Sequence, residues 1–176
     1  MQTRQALDIR PCTSDDLDAM LAVINDAAIA YRGAIAPDQW KEPYMPMDEL
    51  LAELAAGVEF SGVFGERGLE AVMGLQLVKD VALVRHAYTR TRSQGRGLGK
   101  ALLEHVLART RRPVLIGTWR AATWAIGFYQ AHGFTLVDDT TKEQLLREYW
   151  SIPPRQVEES VVLVDTRWLA KRPATT

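Results

Sequence analysis

Ser93-Gln94-Gly95-Arg96-Gly97-Leu98-Gly99-Lys100-Ala101-Leu102-Leu103 sets three glycines in five positions, and an apolar run follows at once. The whole chain has 12 glycines in 176 residues, so a cluster this dense is a local device. Glycine lets the backbone make turns that side chains forbid, and it lets a ligand approach the main chain closely. Arg90, Arg92, Arg96 and Lys100 surround the cluster, which points to an anionic ligand. A strand that ends here, a tight turn and a helix start would gather unpaired amides at the positive end of the helix dipole. The competing reading is a plain strand-to-helix turn with arginines on the surface. Three glycines with local basicity favour the anion site.

Two familiar phosphate motifs fail on this stretch. A Walker A loop needs a serine or threonine after Gly99-Lys100 and a glycine at position 94; Ala101 and Gln94 stand there. A dinucleotide fingerprint needs a third glycine or alanine, where Lys100 or Leu102 would fall. The flanks define the setting. Upstream, Val58, Phe60 and Phe64 alternate, a turn follows at Gly65-Glu66-Arg67-Gly68, and two more strands read over 69–78 and 81–89. Downstream, Leu98, Leu102 and Val106 form one helical stripe, with Leu103 and Leu107 beside it. Pro113 closes that helix and opens a buried strand over 113–118.

Further out, Ile9-Arg10-Pro11 ends a short first strand. Thr13 or Ser14 caps a helix with Leu17, Met20, Leu21 and Ile24 on one face. The proline- and aromatic-rich stretch 31–47 has no period. A short helix then carries Leu50, Leu51 and Leu54 and stops at Gly57. After the strand 113–118 come a helix from Thr123 to His132 capped by Gly133, a strand over 134–137, a helix over 142–150 and a last strand over 160–165. The order β-α-α-β-β-β-α-β-α-β-α-β predicts an α/β fold, a mixed sheet with helices on both faces.

Composition sets outer bounds. The length suits one domain over 1–176, with its core at about 8–165. Lysine and arginine number 21 against 22 aspartate and glutamate, a net charge of −1, so no global field recruits nucleic acid. Cys12 is the single cysteine, which excludes an internal disulfide and fits a reducing compartment. Three histidines and one cysteine, scattered, give no metal site. No apolar run suits a signal peptide or a membrane span, so a soluble cytoplasmic protein is expected.

With these elements in place, the chain resembles the GNAT superfamily, the GCN5-related N-acetyltransferases. The resemblance rests on Gln94-Gly95-Arg96-Gly97-Leu98-Gly99, which meets the pattern Gln/Arg-x-x-Gly-x-Gly/Ala between a strand ending Ala87-Tyr88-Thr89 and a helix. It rests also on Phe128-Tyr129-Gln130-Ala131-His132-Gly133-Phe134, similar to the Phe-Tyr-x-x-x-Gly-Phe of the helix after the fifth strand. A Tyr-Arg-Gly stretch early and a Leu-Leu-x-x-Tyr-Trp stretch late are similar to those of an uncharacterised bacterial and archaeal subset. The likeness covers Ile9 to about Val164.

The resemblance implies a single domain with a mainly antiparallel sheet of about seven strands, the fourth and fifth splayed to admit acetyl-CoA. It implies that the diphosphate meets Gln94, Gly95, Arg96, Gly97, Leu98, Gly99 and Lys100, chiefly through backbone amides. Ala87, Tyr88 and Thr89 would pair with the pantetheine arm, and the segment Val114–Thr118 would form the other lip. Ala122 stands where the family often has an asparagine that bonds this arm. By spacing alone Tyr129 is a core tyrosine, on the stripe Ala122, Ala125, Ile126, Tyr129; the resemblance makes it the acid that protonates the departing thiolate. The base is left between His86, on the strand lining the cleft, and Glu42, in the irregular stretch that the family uses as an acceptor lid. Trp40 and Tyr44 either wall the acceptor or anchor that stretch in the core. His105 and His132 read as exposed helix positions. The implied activity is acetyl transfer from acetyl-CoA to a primary amine, a small molecule or amino acid, without a metal. A protein N-acetyltransferase and a CoA-binding sensor without turnover stand as alternatives, and homodimerisation is a further expectation.

Overall fold

The computed structural model describes residues 6–171. Its strands are β1 (Asp8–Pro11), β2 (Glu59–Gly65), β3 (Gly68–Val78), β4 (Val81–Thr89), β5 (Val114–Trp119), β6 (Thr135–Leu136) and β7 (Ser160–Val164). Its α-helices are α1 (Leu17–Ala28), α2 (Met47–Ala55), α3 (Leu98–Leu107), α4 (Thr123–Ala131), α5 (Asp139–Tyr149), α6 (Pro154–Glu158) and α7 (Thr166–Lys171). The strands form one seven-stranded sheet in the order β1-β2-β3-β4-β5-β7-β6. The β4–β5 pair is parallel; β1–β2, β2–β3, β5–β7 and β6–β7 are antiparallel. This is the mixed, mainly antiparallel sheet expected from the sequence. The helices α6 and α7 were not expected. Pro153-Pro154 reads as a break, yet proline at the first position of a helix loses no hydrogen bond.

The chain divides into two compact units. The first takes the residues up to Ile29 with Pro43–Leu75 and His86–Arg109. The second takes Ala30–Glu42, Gln76–Arg85 and the residues from Thr110 onward.

In the first unit, Met20, Val23 and Ile24 of α1 and Leu50 of α2 close over Val58, Phe60, Leu69 and Val72. Each such side chain contributes about 1.5–3 kcal/mol by leaving water. The start of α1 differs from the expectation: a 3-10 turn, Ser14–Asp16, precedes it. Asp16 accepts from the Thr13 amide at 2.8 Å, which holds its carboxyl below the usual range. The alternation Val58, Phe60, Phe64 breaks because the β2–β3 register slips between Val63 and Phe64. At Gly62 a Cβ would stand 2.5 Å from Leu69 Cδ1 and 3.0 Å from Cys12 Sγ, so any side chain there would have to push the Leu69 side chain aside. Burial pushes the Cys12 thiol up to about 12, and it stays a neutral packing group.

In the second unit, Val81 and Leu83 of β4, Leu115 of β5 and Val162 and Val164 of β7 pack with Leu145 and Leu146 of α5. Asp138 caps α5 by accepting from the Thr141 amide at 2.7 Å, a start earlier than the expected 142. The parallel β4–β5 register runs Ala82↔Val114, Leu83↔Leu115, Val84↔Ile116 and no further. On its other edge β5 pairs with β7 from Leu115↔Val164 to Trp119↔Ser160.

Candidate functional site

The glycine turn lies wholly in the first unit, and its foundation is a polar network invisible in the sequence. After β4 the chain makes a 3-10 turn, Thr91–Ser93. The Thr91 amide donates to Asp26 Oδ2 at 2.8 Å, and the Arg90 amide to Glu70 O at 2.9 Å. Arg90 Nε donates to Leu69 O at 2.8 Å. The buried Glu70 carboxylate accepts from Arg92 Nη2 at 3.0 Å, from Arg92 Nε at 3.3 Å and from the Ser93 hydroxyl. The Arg92 guanidinium beside it holds the Glu70 carboxyl below its ordinary value. Arg90 and Arg92 therefore brace the turn, which corrects the reading of all four basic residues as anion-seeking. Arg96 and Lys100 are exposed.

Past that brace, Gly95 and Gly97 hold φ of 77° and 79°, a left-handed region that side chains rarely take. A Cβ on either would meet nothing within 4 Å, so their backbone faces open space. Gly97 is the N-cap of α3, and Leu98, Leu102, Leu103 and Val106 sink the helix into the core. The first amides of a helix have no intrahelical acceptor, so this rigidly held helix end presents donors and positive potential. Gln94 Nε2 turns back to donate to Thr89 O at 3.3 Å. The arrangement suits a phosphate-sized anion met by main chain.

Ala87, Tyr88 and Thr89 precede the turn on β4, each half-buried. The Tyr88 ring meets Tyr44 edge-on at 6.5 Å, so Tyr44 packs beside the expected cofactor strand. His86 adopts a φ of 55°, unusual for a side-chain residue inside a strand. Its ring stacks on Phe60 at 6.0 Å, and its Nε2 lies 3.0 Å from Glu53 Oε2. Glu53 was not a candidate from sequence; it reads as one polar position of α2 beside the Leu50 stripe.

Tyr129, Trp40 and Glu42 belong to the second unit. Tyr129 is the buried residue of α4, its stripe neighbours Ala125 and Ile126 being half-buried, with its ring edge-on to Phe134 at 5.9 Å and Phe128 at 5.2 Å. Burial, and next the proximity of Tyr31, push its phenol well above the ordinary value. The hydroxyl makes no hydrogen bond among the described residues, yet no sealed polar side-chain atom there lacks a partner, so the hydroxyl is not sealed in. Ala122, the N-cap of α4, is fully buried; its carbonyl accepts from the amides of Ala125 and Ile126, and its own amide donates to Trp119 O at 3.0 Å. Glu42 is exposed, accepts from Trp40 Nε1 at 3.2 Å and lies 3.6 Å from Arg32. The stretch holding them is tied down by Arg155 of α6, whose Nε donates to Asp38 Oδ2 at 3.0 Å. Tyr31 stacks on Trp124 at 5.9 Å. His132 Nδ1 lies 2.6 Å from Phe128 O, a helix-end contact. No helix among the described residues is long and apolar enough to cross a membrane, and no group of three or more potential metal ligands occurs among them.

A left-handed glycine turn opens α3, and the β4–β5 pair of the sheet is parallel. The family model described as acetyltransferase (GNAT) domain matches residues 57–136. The fold is similar to that of PaiA N-acetyltransferase from Thermoplasma acidophilum in complex with coenzyme A, with a TM-score of 0.68 and 18% identity, covering 92% of this chain and 99% of that one. It is similar to ribosomal-protein-S18-alanine N-acetyltransferase from Escherichia coli, with a TM-score of 0.63, 17% identity and coverage of 91% and 93%. It is similar as well to N-acetylglutamate synthase from Neisseria gonorrhoeae complexed with coenzyme A and N-acetyl-glutamate, with a TM-score of 0.62 and 15% identity over 93% of this chain and 35% of that one. No curated protein matches the sequence. Residues 57–136 are thus matched by the GNAT acetyltransferase domain, and over nine-tenths of the chain the fold is similar to that of GNAT N-acetyltransferases.

Proposed function

We propose that the chain, from about residue 8 to 165, is a single N-acetyltransferase domain that moves acetyl from acetyl-CoA to a primary amine by direct attack. The acceptor class we favour is a small molecule or amino acid, because a net charge of −1 provides no field for a strongly charged macromolecule. The observation that carries the donor half is the open left-handed turn at Gly95 and Gly97, braced through Glu70 and Asp26. Amides from Gly95 to Lys100 would hold the diphosphate, with Gln94 closing the turn and Arg96 and Lys100 adding charge. The backbone of Ala87, Tyr88 and Thr89 would lie along the pantetheine arm. Without an asparagine at Ala122 that arm loses one side-chain hydrogen bond, about 1 kcal/mol.

Acetyl transfer needs a neutral amine, so a base takes one proton, and it needs a donor for the departing sulfur. Tyr129 is the proposed donor; burial disfavours a free phenolate, so its proton can pass to the departing sulfur only as an amine proton replaces it. Of the two bases weighed, His86 is the better supported, because a second residue fixes its ring. Glu42 is exposed and already engaged by Arg32 and Trp40. Trp40 and Tyr44 remain the aromatic wall proposed for the acceptor. A lone cysteine with a neutral buried thiol suits a reducing cytoplasm.

Calorimetry with CoA tests the donor site. Gly97→Val forces a branched side chain into a φ of 79° and into the open space, and should weaken CoA at least about 100-fold in a folded protein. Unchanged affinity would refute the assignment. An acetyl-CoA consumption screen over amines, amino acids, polyamines and peptide N-termini then identifies the acceptor. CoA binding without turnover on any of them would mark a sensor instead.

A further inference from the structure

We propose that Glu53 is a positioning residue that fixes His86 as the base for the acceptor amine, with Nδ1 as the atom that takes the proton. The inference rests on the acetyltransfer reading above. Glu53 Oε2 lies 3.0 Å from His86 Nε2. An ionised carboxylate only accepts hydrogen bonds, so Nε2 carries the hydrogen, and in the neutral imidazole the lone pair falls to Nδ1. Two further restraints act on the same ring. Phe60 stacks against it at 6.0 Å with 27° between the planes. Gly74, the β3 partner of Phe60, has no side chain to stand beside it. The backbone at His86 is left-handed, with a φ of 55°, a cost that persists only where the surroundings hold it and that re-aims a side chain out of strand alternation.

Position and exposure fit the role. His86 directly precedes Ala87-Tyr88-Thr89, the segment proposed for the pantetheine arm. Its side chain is 16% exposed and that of Glu53 17%, enough to pass a proton to solvent and enough shielding to keep the pair oriented. The charged group within ion-pair distance is Glu53 of α2; β2 presents the uncharged Phe60 ring. On its own strand, Arg85 donates to Gln76 Oε1 at 3.1 Å. His132, by contrast, sets its Nδ1 2.6 Å from the Phe128 carbonyl oxygen.

The step balances. An ammonium proton of the acceptor moves to His86 Nδ1. The freed amine forms a bond to the thioester carbonyl carbon, the carbon–sulfur bond breaks, the Tyr129 phenol proton passes to the sulfur to give the thiol, and a second amine proton restores the phenol. His86 then gives its proton to solvent, while Glu53 keeps the Nε2 hydrogen bond throughout.

Nitrogen-15 NMR of the histidine-labelled full chain with CoA bound reads the tautomer directly, His86 being assigned by His86→Gln. At a pH where the ring is neutral, the wild type should show the hydrogen on Nε2, and Glu53→Leu should mix the tautomers. With an amine from the screen, Glu53→Leu should lower kcat about 10- to 100-fold, leave the KM for acetyl-CoA within about 2-fold, and be partly rescued in Glu53→Asp. A hydrogen on Nδ1 in the wild type overturns the proposal. So does an unaltered kcat in folded Glu53→Leu or, should that variant not fold, in Glu53→Gln with the tautomers mixed. Failure of every amine to be acetylated by CoA-competent protein overturns the acetyltransfer reading itself, which the tautomer measurement does not touch.

Discussion

Replacing Glu70 with alanine should loosen the glycine turn from a distance. Glu70 does not belong to the turn; it lies on β3 with its side chain 8% exposed. Its carboxylate accepts from Arg92 twice and from Ser93 once, and its backbone carbonyl accepts from the Arg90 amide. Hydrogen bonds to a charged group are each worth about 1.5–3 kcal/mol. Arg92 is 45% exposed and can return to water, whereas Ser93 is 1% exposed and would keep an unpaired hydroxyl. The sum falls near 3 kcal/mol for Glu70→Ala, at the low end for breaking a buried pair. Glu70→Gln keeps the shape and an acceptor and should cost about half as much. Part of that loss appears as disorder of Thr91–Ser93, at about 1–2 kcal/mol for each backbone residue that must be reordered on binding. CoA affinity in Glu70→Ala should therefore fall about 10- to 100-fold while α3 stays folded.

The pH dependence has a definite sign. The Glu70 carboxyl is lowered from 4.5 in the folded chain, chiefly by Arg92. Its contribution is complete above 4.5 and fades as pH falls through the lower folded value, so the stability gap between wild type and Glu70→Gln should narrow in acid. Urea unfolding at several pH values and CoA calorimetry measure both effects. A Glu70→Ala protein that loses the expected stability yet binds CoA at wild-type affinity would refute the coupling between brace and turn.

Two further outcomes test other parts of the structure. Gly62→Ala should destabilise by about 1–3 kcal/mol in urea unfolding, since a Cβ there would stand 2.5 Å from Leu69 Cδ1 and 3.0 Å from Cys12 Sγ; Leu69→Ala should relieve part of it. Tyr129→Phe should keep the fold and CoA affinity and lower kcat by about 10- to 100-fold on an identified acceptor; full kcat with chemistry rate-limiting would leave Tyr129 a core ring alone.

Much of this protein was legible along the chain because its signals are local. Hydrophobic periods of 2 and 3.6 marked β2–β5 and α1–α4, glycine marked the helix ends at Gly57 and Gly133, and the density of Gly95, Gly97 and Gly99 marked the turn. Capping, periodicity and left-handed backbone depend on neighbours within a few residues, so the sequence states them outright. Partnership across the fold is different. Asp26 is 65 residues from Thr91, Glu70 is 22 from Arg92, and Glu53 is 33 from His86. Nothing local separates these carboxylates from other polar positions, and Arg90 and Arg92 looked like ligand-seeking cations until their acceptors appeared. The left-handed His86 likewise has no sequence mark, because surrounding packing rather than its own preference imposes that conformation. Local sequence thus determined where a left-handed glycine turn opens a helix. Only tertiary structure decided which side chains brace that turn and which carboxylate meets the His86 ring, because those energies exist only between residues that the folded chain brings together.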